Sequence, residues 1–97
     1  MATVHEVHTL TDAGTAYEIM PAMQGNGKDV TIQNNNATAS VLIGGPGVTT
    51  TDYGFKILPN AAISFELDGT DSIWAVSSTA GATVHTLRMN LEGTYIV

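Results

Sequence analysis

The chain has 97 residues, with three Lys and Arg against nine Asp and Glu, a formal net charge of −6 and no cysteine. Lys and Arg make most of the contacts that nucleic acids and anionic membranes require, so neither is an expected partner, and disulfides, iron–sulfur clusters and thiolate zinc sites are excluded. Charged residues are only 12% of the chain, against roughly 25% in an ordinary domain, so much of the surface must be neutral and small, which suits packing against other protein.

The length fits one domain, 1–97, with one modest core. At its start, MATVHEVHTL has neither a basic region nor an apolar run of signal-peptide type, and no segment approaches the length of a membrane span. Synthesis in the cytoplasm is expected. Thr3 to Leu10 reads as a strand or an extended arm, ended by Asp12-Ala13-Gly14. Thr15 to Met20 is a second strand, with Tyr17 and Ile19 on the inward face and Ala16, Glu18 and Met20 on the other. Pro21 stops it, and Gln24-Gly25-Asn26-Gly27 is a hairpin-compatible connection.

Val30 to Asn34 alternates Val30 and Ile32 with Thr31 and Gln33 before Asn34-Asn35-Asn36 turns the chain. Asn36-Ala37-Thr38 fits a glycosylation sequon but reads more simply as part of that turn. Ala39 to Ile43 is expected to pair with Val30 to Asn34 as a hairpin and to end at Gly44-Gly45-Pro46-Gly47. From Val48 to Leu58 the chain reads as a long connection crossing between sheets, closed by Pro59-Asn60. Ala62 to Leu67 and Ser72 to Ser77 flank Asp68-Gly69-Thr70-Asp71, and an Asp-Gly pair between alternating apolar runs predicts a hairpin. Trp74 and Val76 alternate with Ile73 and Ala75, apolar on both faces, which fits a central strand. Thr83 to Met89 sets Thr83, His85, Leu87 and Met89 opposite Val84, Thr86 and Arg88, and Thr94 to Val97 could add an edge strand.

About eight short antiparallel strands without helical periodicity give an all-β fold, a β-sandwich or a jelly-roll-like barrel. The residues that carry site chemistry are scattered through it. His5 and His8, three apart on a strand, point to opposite faces, so joint ligation of a metal needs a bend there and further ligands, and exposed or packed histidines are the expected reading. His85 has only Thr83 and Thr86 as local hydroxyl neighbours, which strand propensity explains as well as a triad does. Asp52, Asp68 and Asp71 lack a calcium-loop pattern. The Gly44 to Thr50 stretch lacks the lysine of a phosphate loop, and Pro46 removes a donor, so it reads as a strand-ending turn. Trp74, Tyr53 and Phe55 either stack on a sugar or serve as core and cap, the second being the usual use of scarce aromatics. No catalytic residue, cofactor or metal is assigned, and the chain does not read as an enzyme.

Six elements in order carry a resemblance: Ile32-Gln33-Asn34, Val41 to Gly45, Val48-Thr49, Gly54 to Leu58, Ile63 to Leu67, and Asp71 to Val76. Their succession resembles a small β-module of tailed-phage virion proteins, over residues 32–76, with Asn60 where a Gly usually follows the proline. A protein made of little else resembles a capsid decoration protein, also called a minor capsid or head-stabilisation protein. The resemblance implies a virion structural protein on the outer capsid surface, bound to the major capsid protein and assembled as a homo-oligomer, with a trimer favoured. It also implies that Met1 to Leu10 and Leu91 to Val97 are arms adding strands to neighbouring subunits. Candidate intersubunit or capsid contacts are then Val4, His5, Val7, Tyr53, Phe55, Tyr95 and Ile96. The alternative reading is a glycan- or receptor-binding module of a phage fibre or baseplate, and a small hydrolase using His85 is a more distant rival.

Overall fold

Alternation along the sequence becomes alternation of exposure along the longer strands. In a computed structural model that describes residues 3–21, 27–68 and 71–90, the chain forms β1 (Thr3–Leu10), β2 (Tyr17–Met20), β3 (Gly27–Asn34), β4 (Val41–Gly44), β5 (Phe55–Ile57), β6 (Ala62–Asp68), β7 (Ile73–Val76) and β8 (Ala82–Asn90). The described residues contain no helix. Two four-stranded antiparallel sheets result, ordered β1-β8-β3-β6 and β2-β7-β4-β5. The first uses strands of 8, 9, 8 and 7 residues and the second strands of 4, 4, 4 and 3, so the sandwich has a long-strand and a short-strand side.

The pairing is nested. β1 pairs with β8, β2 with β7, β3 with β6 and β4 with β5, so the chain is one long hairpin ribbon with its tip at residues 45–54. Rolling that ribbon brings β8 against β3 and β7 against β4, which closes both sheets and gives the jelly-roll wiring. Thr3 to Leu10 therefore lies in register with β8 of the same chain along its whole length. β7 is central, as its two apolar faces require.

Two expected pairings and the place of one expected crossing differ from those observed. β6 and β7 lie in different sheets and do not pair, so the ribbon passes from one sheet to the other between Asp68 and Asp71. β3 and β4 are likewise separated, and the crossing expected at Val48 to Leu58 falls instead at residues 58–61, because β4 and β5 pair directly. The apolar faces of consecutive strands meet across the core instead of side by side, which local turn chemistry does not encode. In β2 the register shifts between Glu18 and Met20, and this bulge turns Met20 inward beside Ile19, against simple alternation.

The core between the sheets takes Leu10, Val30, Ile32 and Val84 from the long side and Ile19, Val41, Ile43, Ile57 and Ala75 from the short side. Corners are tied by backbone bonds: Gly14 N–H donates to Ser77 O and Gly81 N–H to Leu10 O, both at 2.8 Å. Gly14 and Gly81 have φ of 76° and 79°, a left-handed conformation that side chains disfavour. Asn60 has φ 62°, so this asparagine takes the conformation that a glycine would supply at the same corner. The sequon residue Asn36 donates through Nδ2 to Thr83 O at 2.9 Å, which makes it part of the fold's internal bonding.

Candidate functional site

The two outer faces of the sandwich differ. On the short-strand side, Leu42 and Val76 are buried and form a second apolar cluster with Val48, against which Trp74 and Ala16 pack. Val48 comes from the tip loop, which folds back over the sheet because Gly44 has no side chain: a Cβ there would lie 3.2 Å from Gly54 N and 3.4 Å from a Val48 methyl. Gly54 N–H donates to Ile43 O at 2.9 Å and holds the loop down. The tip loop thus covers the Leu42 and Val76 part of this side, while Glu18 and Lys56 stay exposed.

Among the described residues, none covers the outer side of the long-strand sheet. Its outward positions are the odd residues of β1, β8 and β3 and the even residues of β6, and the registers arrange them in rows across the sheet. One row reads His5, Leu87, Thr31, Ser64, and the next Val7, His85, Gln33, Ala62. The first is fastened by a 2.8 Å hydrogen bond between Thr31 Oγ1 and Ser64 Oγ. Val7 is 58% exposed and Leu87 42%, beside a shallow hollow of about 410 Å³ that His5, Gln33 and Ala62 help to line.

A third row reads Thr3, Met89, Asp29, Glu66. Asp29 and Glu66 are directly opposite on antiparallel strands, a like-charge pair that disfavours the sheet. Among the described residues, no Lys, Arg or His forms an ion pair with either carboxylate. The chain's cations are spent elsewhere. Lys28 is only 1% exposed, and Arg88 points into the sandwich, where Nη1 lies 3.7 Å from Glu6 Oε1 and donates to Met20 Sδ at 3.6 Å. Lys56 is exposed but stands opposite Leu42, on the outer side of the other sheet.

The sequence-derived candidates separate on this framework. His5 and Val7 share the outer face of the long-strand sheet, whereas Val4 is directed inward with Glu6 and His8. His8 Nε2 lies 3.3 Å from Glu6 Oε1 without hydrogen-bond geometry, and His5 is on the opposite side of the strand as expected. Tyr53 and Phe55 are exposed but belong to the tip loop and the edge strand of the other sheet, where Phe55 shares the inward face with Ile43. Tyr95 and Ile96 lie outside the described residues, as do the 91–97 arm and the Gln24-Gly25-Asn26 turn. Leu87, Asp29 and Glu66 were not singled out by sequence; the alternation of His85 and Leu87 was the available signal.

Two other candidates have defined geometry. In the Gly44 to Thr50 stretch, Val48 N–H donates to Gly45 O, and Thr49 N–H donates to Asp52 O. Asp52 N–H donates to Thr49 Oγ1 at 2.9 Å, and the Asp52 residue itself lines the adjoining hollow of about 230 Å³. The Val48 and Thr49 amides are engaged and an acidic residue lines the hollow, which does not fit a phosphate cradle. Among the described residues, no three His, Asp or Glu side chains converge as a metal site.

No protein-family model matches the chain, and no curated protein matches it. Among solved structures, a subunit of Bacillus endospore appendages, described as a novel family of disulfide-linked pili, is similar at 17% identity, with a TM-score of 0.52 over 94% of this chain and 88% of that one. A de novo designed double-stranded β-helix matches at 14% identity and TM-score 0.43, covering 91% and 96% of the two chains. The lysozyme inhibitor PliG of Aeromonas hydrophila, periplasmic and directed at g-type lysozyme, matches at 15% and 0.42, covering 90% and 82%. The appendage likeness is one of fold.

Proposed function

We propose that this chain is a structural protein that decorates and stabilises an assembled bacteriophage capsid from its outer surface. Its partner is the major capsid protein, and it acts as a homo-oligomer, with a trimer favoured. The observation that carries the reading is the asymmetry of the sandwich: the apolar outer residues Leu42 and Val76 of one sheet are buried under its own tip loop, while the other presents a four-stranded face with Val7 and Leu87 exposed. Apolar side chains buried on one outer face and exposed on the other suit contact with another protein through the second. The virion-module resemblance supplies the setting.

The glycan-binding alternative needs Tyr53, Phe55 and Trp74 to offer one platform. Trp74 is packed against Val48, and Phe55 shares a face with the core residue Ile43, so they do not form one. The test is sedimentation of the purified chain with heads of the encoding virus that lack it, followed by electron cryomicroscopy. Stoichiometric copies at repeated lattice positions are expected, with a trimer by light scattering. A monomer that stays in the supernatant overturns the reading. Growth of linear polymers points instead to a filament subunit like the Bacillus appendage protein, although without cysteine no disulfide could link the subunits.

A further inference from the structure

We propose that the outer face of the long-strand sheet is the docking face, and that its occupant is a protein surface combining apolar side chains with lysine or arginine, not a second copy of this chain. Only the identification of that partner with a capsid shell rests on the reading above.

The chemistry of the face defines the occupant. Its middle is apolar and neutral, with Val7 and Leu87 projecting between Thr31 and Gln33. Its margin carries Asp29 opposite Glu66, and among the described residues no Lys, Arg or His forms an ion pair with either. Two carboxylates held side by side repel each other, and a basic side chain arriving from outside turns that cost into attraction. A second copy applied face to face brings no Lys or Arg, because Lys28 and Arg88 are turned inward and Lys56 is on the opposite sheet. The partner must therefore be a different, basic surface.

Size sets the strength. Four strands at about 4.8 Å spacing and about eight residues long cover roughly 500 Å². A stable interface takes about 800 Å² per partner, so one copy binds weakly. An oligomer with several faces turned toward one partner lattice gains by avidity.

The first test uses a synthetic peptide of alternating leucine and lysine against the full ¹⁵N-labelled chain. Shift changes are expected at Asp29, Thr31, Glu66 and Leu87, with affinity about tenfold weaker in the Asp29→Asn/Glu66→Gln variant. That variant loses a repulsion, so its thermal midpoint should not fall, which separates lost binding from lost folding. Changes centred on Asp12, Glu18 or Asp52, or unchanged affinity in the variant, overturn the proposal. The second test repeats the sedimentation with Asp29→Lys/Glu66→Lys and with Lys56→Glu, each checked for folding by circular dichroism. Loss of head binding in the first and retention in the second are expected. If both variants bind heads as the natural chain does, the face is wrong and the decoration reading stands. If the peptide maps to the face but the natural chain ignores heads, the face stands and the decoration reading falls.

Discussion

Asn36 Nδ2 donates to Asn34 Oδ1 at 2.6 Å, and through this contact two side-chain amides join both sheets. Asn34 is fully buried; its Nδ2 donates to Ala39 O at 2.8 Å and to Ile57 O at 2.9 Å, on the short-strand side. Asn36 pairs with the backbone of Thr83 in β8, accepting from its N–H at 3.1 Å and donating to its carbonyl.

Replacing Asn34 with Ala strips donors from two carbonyls inside the sandwich. A loss of about 2–4 kcal/mol is expected, read by urea unfolding, because buried polar groups without partners cost more than their bonds return. Asn34→Asp should be nearly as harmful, since a carboxylate cannot donate. A cost near zero would show that the network is incidental.

Gly44→Ala drives a Cβ toward Gly54 N at 3.2 Å, and backbone has little room to yield. The tip loop should lift from the sheet at a cost of about 1–3 kcal/mol. Trp74 is the only tryptophan and packs beneath Val48, so its emission should shift to the red. Unchanged emission with unchanged stability would mean that the loop is not held by this approach.

Asp29→Asn and Glu66→Gln should each raise stability by about 0.2–1 kcal/mol, since either removes the cross-strand repulsion. The gain should shrink in 1 M salt, where screening shortens to about 3 Å. A destabilised variant would contradict the register on which the docking face is built.

Gly14→Ala and Gly81→Ala place a side chain at φ 76° and 79° where nothing crowds the Cβ. Each should cost about 1–2 kcal/mol from backbone conformation alone. Asn in place of either glycine should recover part of that loss in thermal unfolding.

Much of the fold was legible because strand parity survives into three dimensions: Val30 and Ile32 against Thr31 and Gln33, or Val84 against His85, sort to the faces that the alternation assigns. Pairing was not legible. The Asp68-Gly69 signal describes a tight reversal, and a reversal looks the same locally whether the next strand pairs alongside or crosses to the facing sheet. Of the candidate face, His5 and Val7 were visible as neighbours in one strand. Leu87, Asp29 and Glu66 join them only through the registers of β8, β3 and β6, which depend on how the whole ribbon rolls.

The nested ribbon also orders the assembly of the domain in time. Closing β4 on β5 spans only the tip loop, whereas Thr3 meets Met89 across nearly the full chain, so the entropy of closure rises steadily from tip to ends. Closure entropy alone favours a zipper running outward from residues 45–54, with β8 completing the long-strand sheet last. On the docking face proposed above, a half-folded chain thus has no finished surface to offer.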